Sequence, residues 1–441
     1  MGVSLNIGTE QRSEGGDWTS GPLLVGNELG AAPSGPAVEL VGPGGGDAVP
    51  EPAPLPAHPQ APMAWRVLFM VHDLRTDGGA ETAVACTIRS LRRAGVQVHL
   101  AAVCAQGTSS GLAELSGLEP RFVKVFGADE VGHLRATWRL WKYLRRHRFH
   151  VVHSHLELAN LLGVVVGKLA AVPALLPTAH SLWRHRSGRR VLVDRILARL
   201  ATRFVVVTPA IARQFMEEDG IAPDRMAVIP NAVETERLCA LGADERVALR
   251  KELGLPAGGP LVSHVGSLRE PKRQVDLIEA FASVHCRRPA ARLVIVGQGD
   301  LQEELEARIR RLGLEDVVTL MGFRPDAIRV VAASDLFVLS SEREGLPVTL
   351  LESFAVGTPT LSTAVGGIPE LFDGGRYGVL VPPREPALLA ARMVELLDDP
   401  ELRAQLSARA RSRAVTEYSE NAVATRYLEL FEALLPPCGT Q

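Results

Sequence analysis

Cysteine is scarce. The 441 residues hold five, at Cys86, Cys104, Cys239, Cys286 and Cys438, with no C-x-x-C pair among them. An odd, scattered set excludes a disulfide framework and a structural zinc site, and fits a reducing cytoplasm. Positive charge is not in excess either: 48 Lys+Arg against 50 Asp+Glu leave a net charge of −2. Nucleic acid is therefore not an expected partner, since such partners demand a basic chain. No apolar run reaches the roughly 18 residues that a membrane span requires. The longest candidate, from Leu158 to Leu176, is interrupted by Asn160, Lys168 and Pro173. The first residues lack a basic stretch followed by an apolar one, so no signal peptide is expected.

The first 62 residues hold 12 Gly and 10 Pro, with seven acidic residues and a single basic one, Arg12. Such a segment cannot bury enough apolar surface to offset chain entropy and reads as a disordered tail. Composition changes at Met63, an alternative start of translation that intact mass would test. Residues 63–230 carry a net charge of +10 and residues 231–441 one of −6. That asymmetry points to two domains with different partners. Both halves alternate short apolar runs with helix-period segments. The runs are Val67–Val71, Val96–Val103, Val151–His153, Ala174–Thr178, Phe204–Val207 and Met226–Ile229, then Leu261–Val265, Arg292–Val296, Val317–Leu320, Leu336–Leu339, Pro359–Ser362 and Gly378–Val381. This pattern predicts an α/β chain with two doubly wound parallel sheets and ligands beyond the carboxyl ends of their strands. The hinge is expected between Asn231 and Pro260, where Gly and Pro cluster. The expected divisions are a tail over 1–62, a first domain over 63–235, a second over 236–420, and a C-terminal helix and tail over 421–441, crossing back to the first domain.

The segment Ala333 to Glu352 carries the most chemistry. A strand ends near Ser340, a polar loop holds Glu342 and Glu344, and a helix is expected from about Pro347. Backbone N–H groups at that start favour a phosphate, and carboxylates nearby suit a ligand rich in hydroxyls. A lone pair of this kind would more often be a loop charge and a solvated helix residue. The E-x7-E spacing in a strand–loop–helix setting, however, closely resembles the retaining glycosyltransferases of family 4, which have the two-domain GT-B fold. The resemblance runs from Arg66 to about residue 430 and continues through Gly357-Thr-Pro359 and Val365-Gly-Gly-Ile-Pro-Glu370. It implies two Rossmann-like domains facing a central cleft and transfer of a sugar from a nucleotide-diphosphate sugar to a hydroxyl acceptor. It further implies that Glu344 lies by the transferred sugar, that Glu352 holds the ribose hydroxyls, and that Gly345 and Leu346 line the donor site.

His264-Val-Gly-Ser-Leu-Arg-Glu-Pro-Lys272-Arg273 supplies cations for a leaving diphosphate. Lys272 matches the family lysine. Ser267 stands where the family commonly has Arg, so Arg269 or Arg273 is the candidate replacement; Arg273 as a surface cation is the plainer alternative. Gly297 and Gly299 match a family loop near the nucleotide, though Gly-x-Gly alone is often just a turn. Phe323 matches a base-contacting loop, with core packing as the alternative. In the first half, Gly78 and Gly79 open a helix after the first strand, where backbone can approach an anion; they could be only a turn, but the resemblance implies that they face the donor diphosphate, while Glu81 serves the helix dipole. A histidine near a strand end is more often a satisfied core group, but the resemblance implies that His180 sits beside the donor sugar; His155 is expected on the acceptor side, and His153 reads as structural. Asn231 is expected to shape a turn. No Asp-x-Asp pair sits at a strand end, so no essential metal or other cofactor is expected.

A helix with Arg135, Arg139, Lys142, Arg145, Arg146 and Arg148 among Trp138, Trp141 and Tyr143 suits an anionic membrane surface. Arg184, Arg186, Arg189 and Arg190 add to that charge. An ordinary amphipathic helix with a basic face is the alternative. The expected location is cytoplasmic, peripheral on the inner face of the plasma membrane, in polysaccharide or glycolipid synthesis; the acceptor class stays open between lipid-linked, polysaccharide and small molecule. Two other functions compete: a sugar-nucleotide 2-epimerase-like enzyme, and a catalytically silent binding protein, which Ser267 favours.

Overall fold

The computed structural model describes residues 65–72, 79–103, 122–123, 130–181, 188–238, 240–256 and 258–435. The tail over 1–62, Gly78, Arg184 and Arg186 lie outside the described residues, as does the side chain of Arg189.

Short runs of β-branched and aliphatic residues form two parallel sheets. The first contains β1 (Arg66–Val71), β2 (Gln97–Ala102), β3 (Phe122–Val123), β4 (Val151–His155), β5 (Ala174–Ala179), β6 (Phe204–Val206) and β7 (Met226–Val228). The second contains β8 (Leu261–Val265), β9 (Arg292–Val296), β10 (Val318–Leu320), β11 (Leu336–Leu339), β12 (Thr360–Thr363) and β13 (Val379–Val381). Their spatial orders are β3-β2-β1-β4-β5-β6-β7 and β10-β9-β8-β11-β12-β13. Each order reverses direction once, between β1 and β4 and between β8 and β11, and a crevice for ligand opens at such a switch. The two-residue strand β3 was not among the expected runs.

Val67 to Val71 are all buried, as are the four residues of β11, because helices cover both faces of each sheet. On the first sheet, helices Glu130–His147, Glu157–Leu169 and Gly188–Leu200 share one core with Leu68, Met70 and Leu175. Helix Gly79–Arg93 and the C-terminal helix Glu420–Leu434 cover the opposite face, around Phe69, Ile88, Tyr427 and Phe431. The last helix of the chain thus completes the core of the first domain.

The chain passes between the domains twice, and the passages pair. Val233 N donates to Tyr418 O at 2.9 Å and Glu420 N to Val233 O at 3.1 Å. The Glu420 carboxylate, 2% exposed, accepts from Thr235 N at 2.8 Å and from Arg93 at 3.2 Å. The Gly/Pro stretch over 254–260, expected in the hinge, instead lies within the second domain. There, buried Arg250 of helix Ala243–Glu252 donates to Ala333 O, Gly259 O and Asp335, at 2.8, 3.2 and 2.7 Å.

Three contacts bring the carboxyl edges of the two sheets together. A methyl group on Gly79, after β1, would touch Val348, after β11, at 3.4 Å. One on Gly345 would overlap the carbonyl of His180, after β5, and one on Gly367, after β12, would overlap Thr208, after β6. The facing edges of the two domains make the cleft.

Candidate active site

β11 delivers the first acidic group. Past its end, Ser341 Oγ donates to Glu344 Oε1 at 2.6 Å, and Lys272 Nζ reaches the same oxygen at 2.6 Å. The Glu344 side chain is 9% exposed and that of Lys272 24%. Lys272 is held from behind: Ser340 Oγ donates to its carbonyl at 3.0 Å, and Glu342 N to Pro271 O at 2.8 Å. The cation and carboxylate read separately from the sequence are one ion pair here, and among the described residues Glu344 Oε2 has no side-chain partner. Ser341 was not singled out by sequence, although its place three residues before Glu344 in a polar loop was the available signal.

Helix Val348–Ala355 follows, with Pro347 as its N-cap rather than its first helical residue. Glu352 sits in its second turn, half-buried, with no hydrogen-bond or ion-pair partner among the described residues. Burial pushes its carboxyl up to about 7. A desolvated carboxyl without a protein donor favours whatever hydroxyls reach it.

The loops after β8 and β9 pack backbone to backbone. Gly266 N donates to Val296 O and Leu268 N to Gln298 O, both at 3.0 Å. Any side chain at Gly297 (φ 148°) or Gly299 would overlap the carbonyls of Gly266 or Leu268, so both positions require glycine. Gly297 N donates to Gly322 O at 2.9 Å, which sets Phe323 beside these loops, 51% exposed rather than packed in the core. Arg269 is exposed with no side-chain partner among the described residues. Arg273 makes a bidentate pair with Asp276 at 2.8 and 3.0 Å and is thereby occupied. Of the two candidate replacements for the missing arginine at Ser267, Arg269 is the free one.

Across the cleft, His180 Nε2 and His155 Nδ1 are hydrogen-bonded at 2.9 Å. His155 is 4% exposed, stacks on Phe69 and lies behind His180 as its hydrogen-bond partner. His153 is fully buried against Thr178 Oγ1 at 2.9 Å. Burial depresses all three: His153 to about 3, His180 to about 4, His155 well below its ordinary range. At neutral pH the rings are uncharged. Asn231 does more than shape a turn: its side chain donates to Leu346 O at 2.9 Å, tying the first domain to the loop that carries Glu344. Glu370 does the reverse, accepting from Ala210 N at 3.1 Å and pairing with Arg213 of the first domain. Among the described residues, no three His, Cys, Asp or Glu side chains could hold a metal ion together, and no helix is long and apolar enough to cross a membrane.

The comparisons agree with this arrangement. Residues 245–413 match the family described as glycosyl transferases group 1, and residues 77–237 match glycosyltransferase family 4. A D-inositol 3-phosphate glycosyltransferase of Thermobispora bispora is 31% identical over 310 residues, 65% of this chain and 71% of that protein. One from Acidothermus cellulolyticus is 32% identical over 297 residues, covering 62% and 65%. The chain thus spans about two thirds of the length of these relatives. Among solved structures, Anabaena HepE in complex with UDP superposes with a TM-score of 0.74 at 24% identity, covering 84% of this chain and 100% of that one, which is a likeness of fold. Two facing parallel sheets, an acid pair on the second and both family matches lead to one conclusion: the chain belongs to glycosyltransferase family 4, enzymes of the GT-B fold.

Proposed function

We propose that the chain transfers a hexose from a uridine diphosphate sugar to a hydroxyl of a lipid-linked, polysaccharide or small-molecule acceptor, with retention at the anomeric carbon. The observation that carries this reading is the Lys272–Glu344 pair, one residue from the place where Gly345 meets His180 across the cleft. Lys272 neutralises the departing diphosphate, assisted by Arg269 and the N-terminus of helix Val348–Ala355. Glu344, oriented by Ser341, holds sugar hydroxyls through its second oxygen. Glu352 takes the ribose hydroxyls, and Phe323 offers a face to the base. Neutral His180, steadied by His155, hydrogen-bonds the sugar from the other domain. The acceptor oxygen bonds to the anomeric carbon on the face that the phosphate leaves. The carbon–oxygen bond to the β-phosphate breaks, and the acceptor proton passes to that phosphate oxygen. No carboxylate stands in as a nucleophile in this scheme. The charge is carried by Lys272 and backbone N–H groups, so we propose that a chelator leaves turnover unchanged.

The uridine choice rests on the fold shared with HepE, which was crystallised with UDP. A thermal-shift panel of UDP-, GDP- and ADP-hexoses tests it: the UDP-hexose should raise the midpoint most. Glu352→Ala should raise donor KM about ten- to a hundredfold, the loss expected for hydrogen bonds to a charged group. Glu344→Ala should lower kcat about 10²-fold or more, as removal of a transition-state contact does. Wild-type kinetics in both variants would overturn these roles.

A further inference from the structure

Of the twelve exposed large apolar side chains among the described residues, eight stand on three helices of the first domain, Glu130–His147, Glu157–Leu169 and Gly188–Leu200. These helices lie side by side, the middle one packed against both others. Their inner sides, at Leu140, Leu144, Val166 and Leu197, fill the core under the sheet. Their outer sides do not turn polar, as a solvated helix would. Trp138 is 57% and Leu169 69% exposed, and Trp141 Nε1 donates to Leu169 O at 3.3 Å, joining the first two helices into one surface. Leu161 and Val165 continue the stripe at helical spacing, and Leu192 and Ile196 repeat it on the third helix.

Cations surround this surface. Arg135, Arg139, Lys142, Arg145 and Arg146 have no carboxylate partner among the described residues, and Lys142 and Arg145 lie over the Trp138 and Trp141 rings, at 5.2 and 6.0 Å. On the middle helix the one exposed acid, Glu157, is taken by Arg190. We propose that this three-helix face docks on the surface of an anionic lipid bilayer. Tryptophans and aliphatic side chains would enter the boundary between headgroups and acyl chains, while Arg and Lys heads stay at the phosphates. Charge complementarity selects this occupant. A second copy of the chain, paired face to face, would set the same cations against one another. A nucleic acid would give the apolar stripe nothing to bury.

Flotation of the full chain on phosphatidylcholine vesicles, with and without phosphatidylglycerol, is the test. The protein should float with the anionic vesicles at low salt, release as salt rises, and stay behind with phosphatidylcholine alone. Trp138→Ser with Leu169→Ser, and separately Arg139→Gln with Lys142→Gln, should each reduce partitioning about tenfold or more, given the known cost of each lost basic residue and buried apolar group. The second pair keeps the fold falsifiable, since both cations are exposed and its melting midpoint should match wild type. No flotation at low salt would overturn the proposal, as would flotation untouched by either pair. So would a dimeric mass that reverts to monomer in the Trp138→Ser, Leu169→Ser variant, which would assign the face to a second copy.

Discussion

Glu352 serves donor binding and folding with opposite signs. Its folded-state pKa of about 7 lies above the ordinary 4.5, because burial disfavours the carboxylate. The protein is therefore fully stabilised at this group below pH 4.5 and loses that stability as pH rises through 7. Glu352→Gln removes the loss. The variant should unfold about 1–3 kcal/mol less readily than wild type at pH 8 and equally at pH 4, by urea titration at both pH values. It should also bind donor more weakly at pH 8, and in the wild type donor KM should rise as pH falls below about 7. Equal stability of the two proteins at pH 8 would sink the argument. Glu344, Glu352 and Lys272 could be singled out from sequence because they fall in segments that resemble family 4, a likeness that needs no knowledge of packing. The direct bond from Lys272 to Glu344 was not, since 72 residues separate them and only the adjacency of β8 and β11 brings them together. The second contact of Asn231 was hidden for the same reason: its partner, Leu346 O, belongs to the other domain.

Strands were legible wherever the chain carries a short apolar run, which holds for every strand described except Phe122–Val123, two residues with no pattern to read. Helix starts were less secure. Pro347 was expected inside its helix, yet at φ −69° and ψ 120° it stands before it, with the first helical residue at Val348. Helix Pro209–Asp219 shows why such ends matter here. Its N-cap Thr208 accepts from Ile211 N at 3.2 Å, and Glu370 from the other domain accepts from Ala210 N at 3.1 Å. Two of its first N–H groups are thus satisfied by side chains, one from each domain. Gly345 lies at the same meeting of loops, where its N-terminal neighbour is Glu344. Gly345→Ala should push His180 away from the loop, since a methyl overlaps that carbonyl. We expect kcat/KM to fall about 10²-fold, the scale of a displacement near 1 Å, with the far-UV spectrum unchanged. Normal turnover in this variant would mean that the two domains need not meet there during the reaction.

At the scale of the whole molecule, neutral rings are buried in both domains. His264 in the second domain, donating through Nδ1 to Val338 O at 2.9 Å, is depressed to about 4 like His180 in the first. A base whose folded pKa lies below its ordinary 6.5 costs nothing above that pH, and stability is lost as pH falls from 6.5 through 4. With His153 and His155 adding the same sign, the melting midpoint should drop steeply between pH 6.5 and 4, by calorimetry across that window. A flat profile would show that these rings accept protons without unfolding. Fold class and the two-sheet plan were readable because alternation of strand and helix repeats along the chain. The return of the last helix to the first domain was also expected, but the place of the first crossing was not pinned down, because the Gly/Pro cluster over 254–260 looked more flexible than Val233.

Those two residues form a bridge, flanked by the hydrogen bonds of Tyr418 and Glu420. Any opening of the lobes must therefore swing on paired strands rather than on a single slack tether. Such a joint permits bending about one axis and resists twisting about the other. Cutting the chain before Glu420 would remove the axle and unroof one lobe in the same stroke.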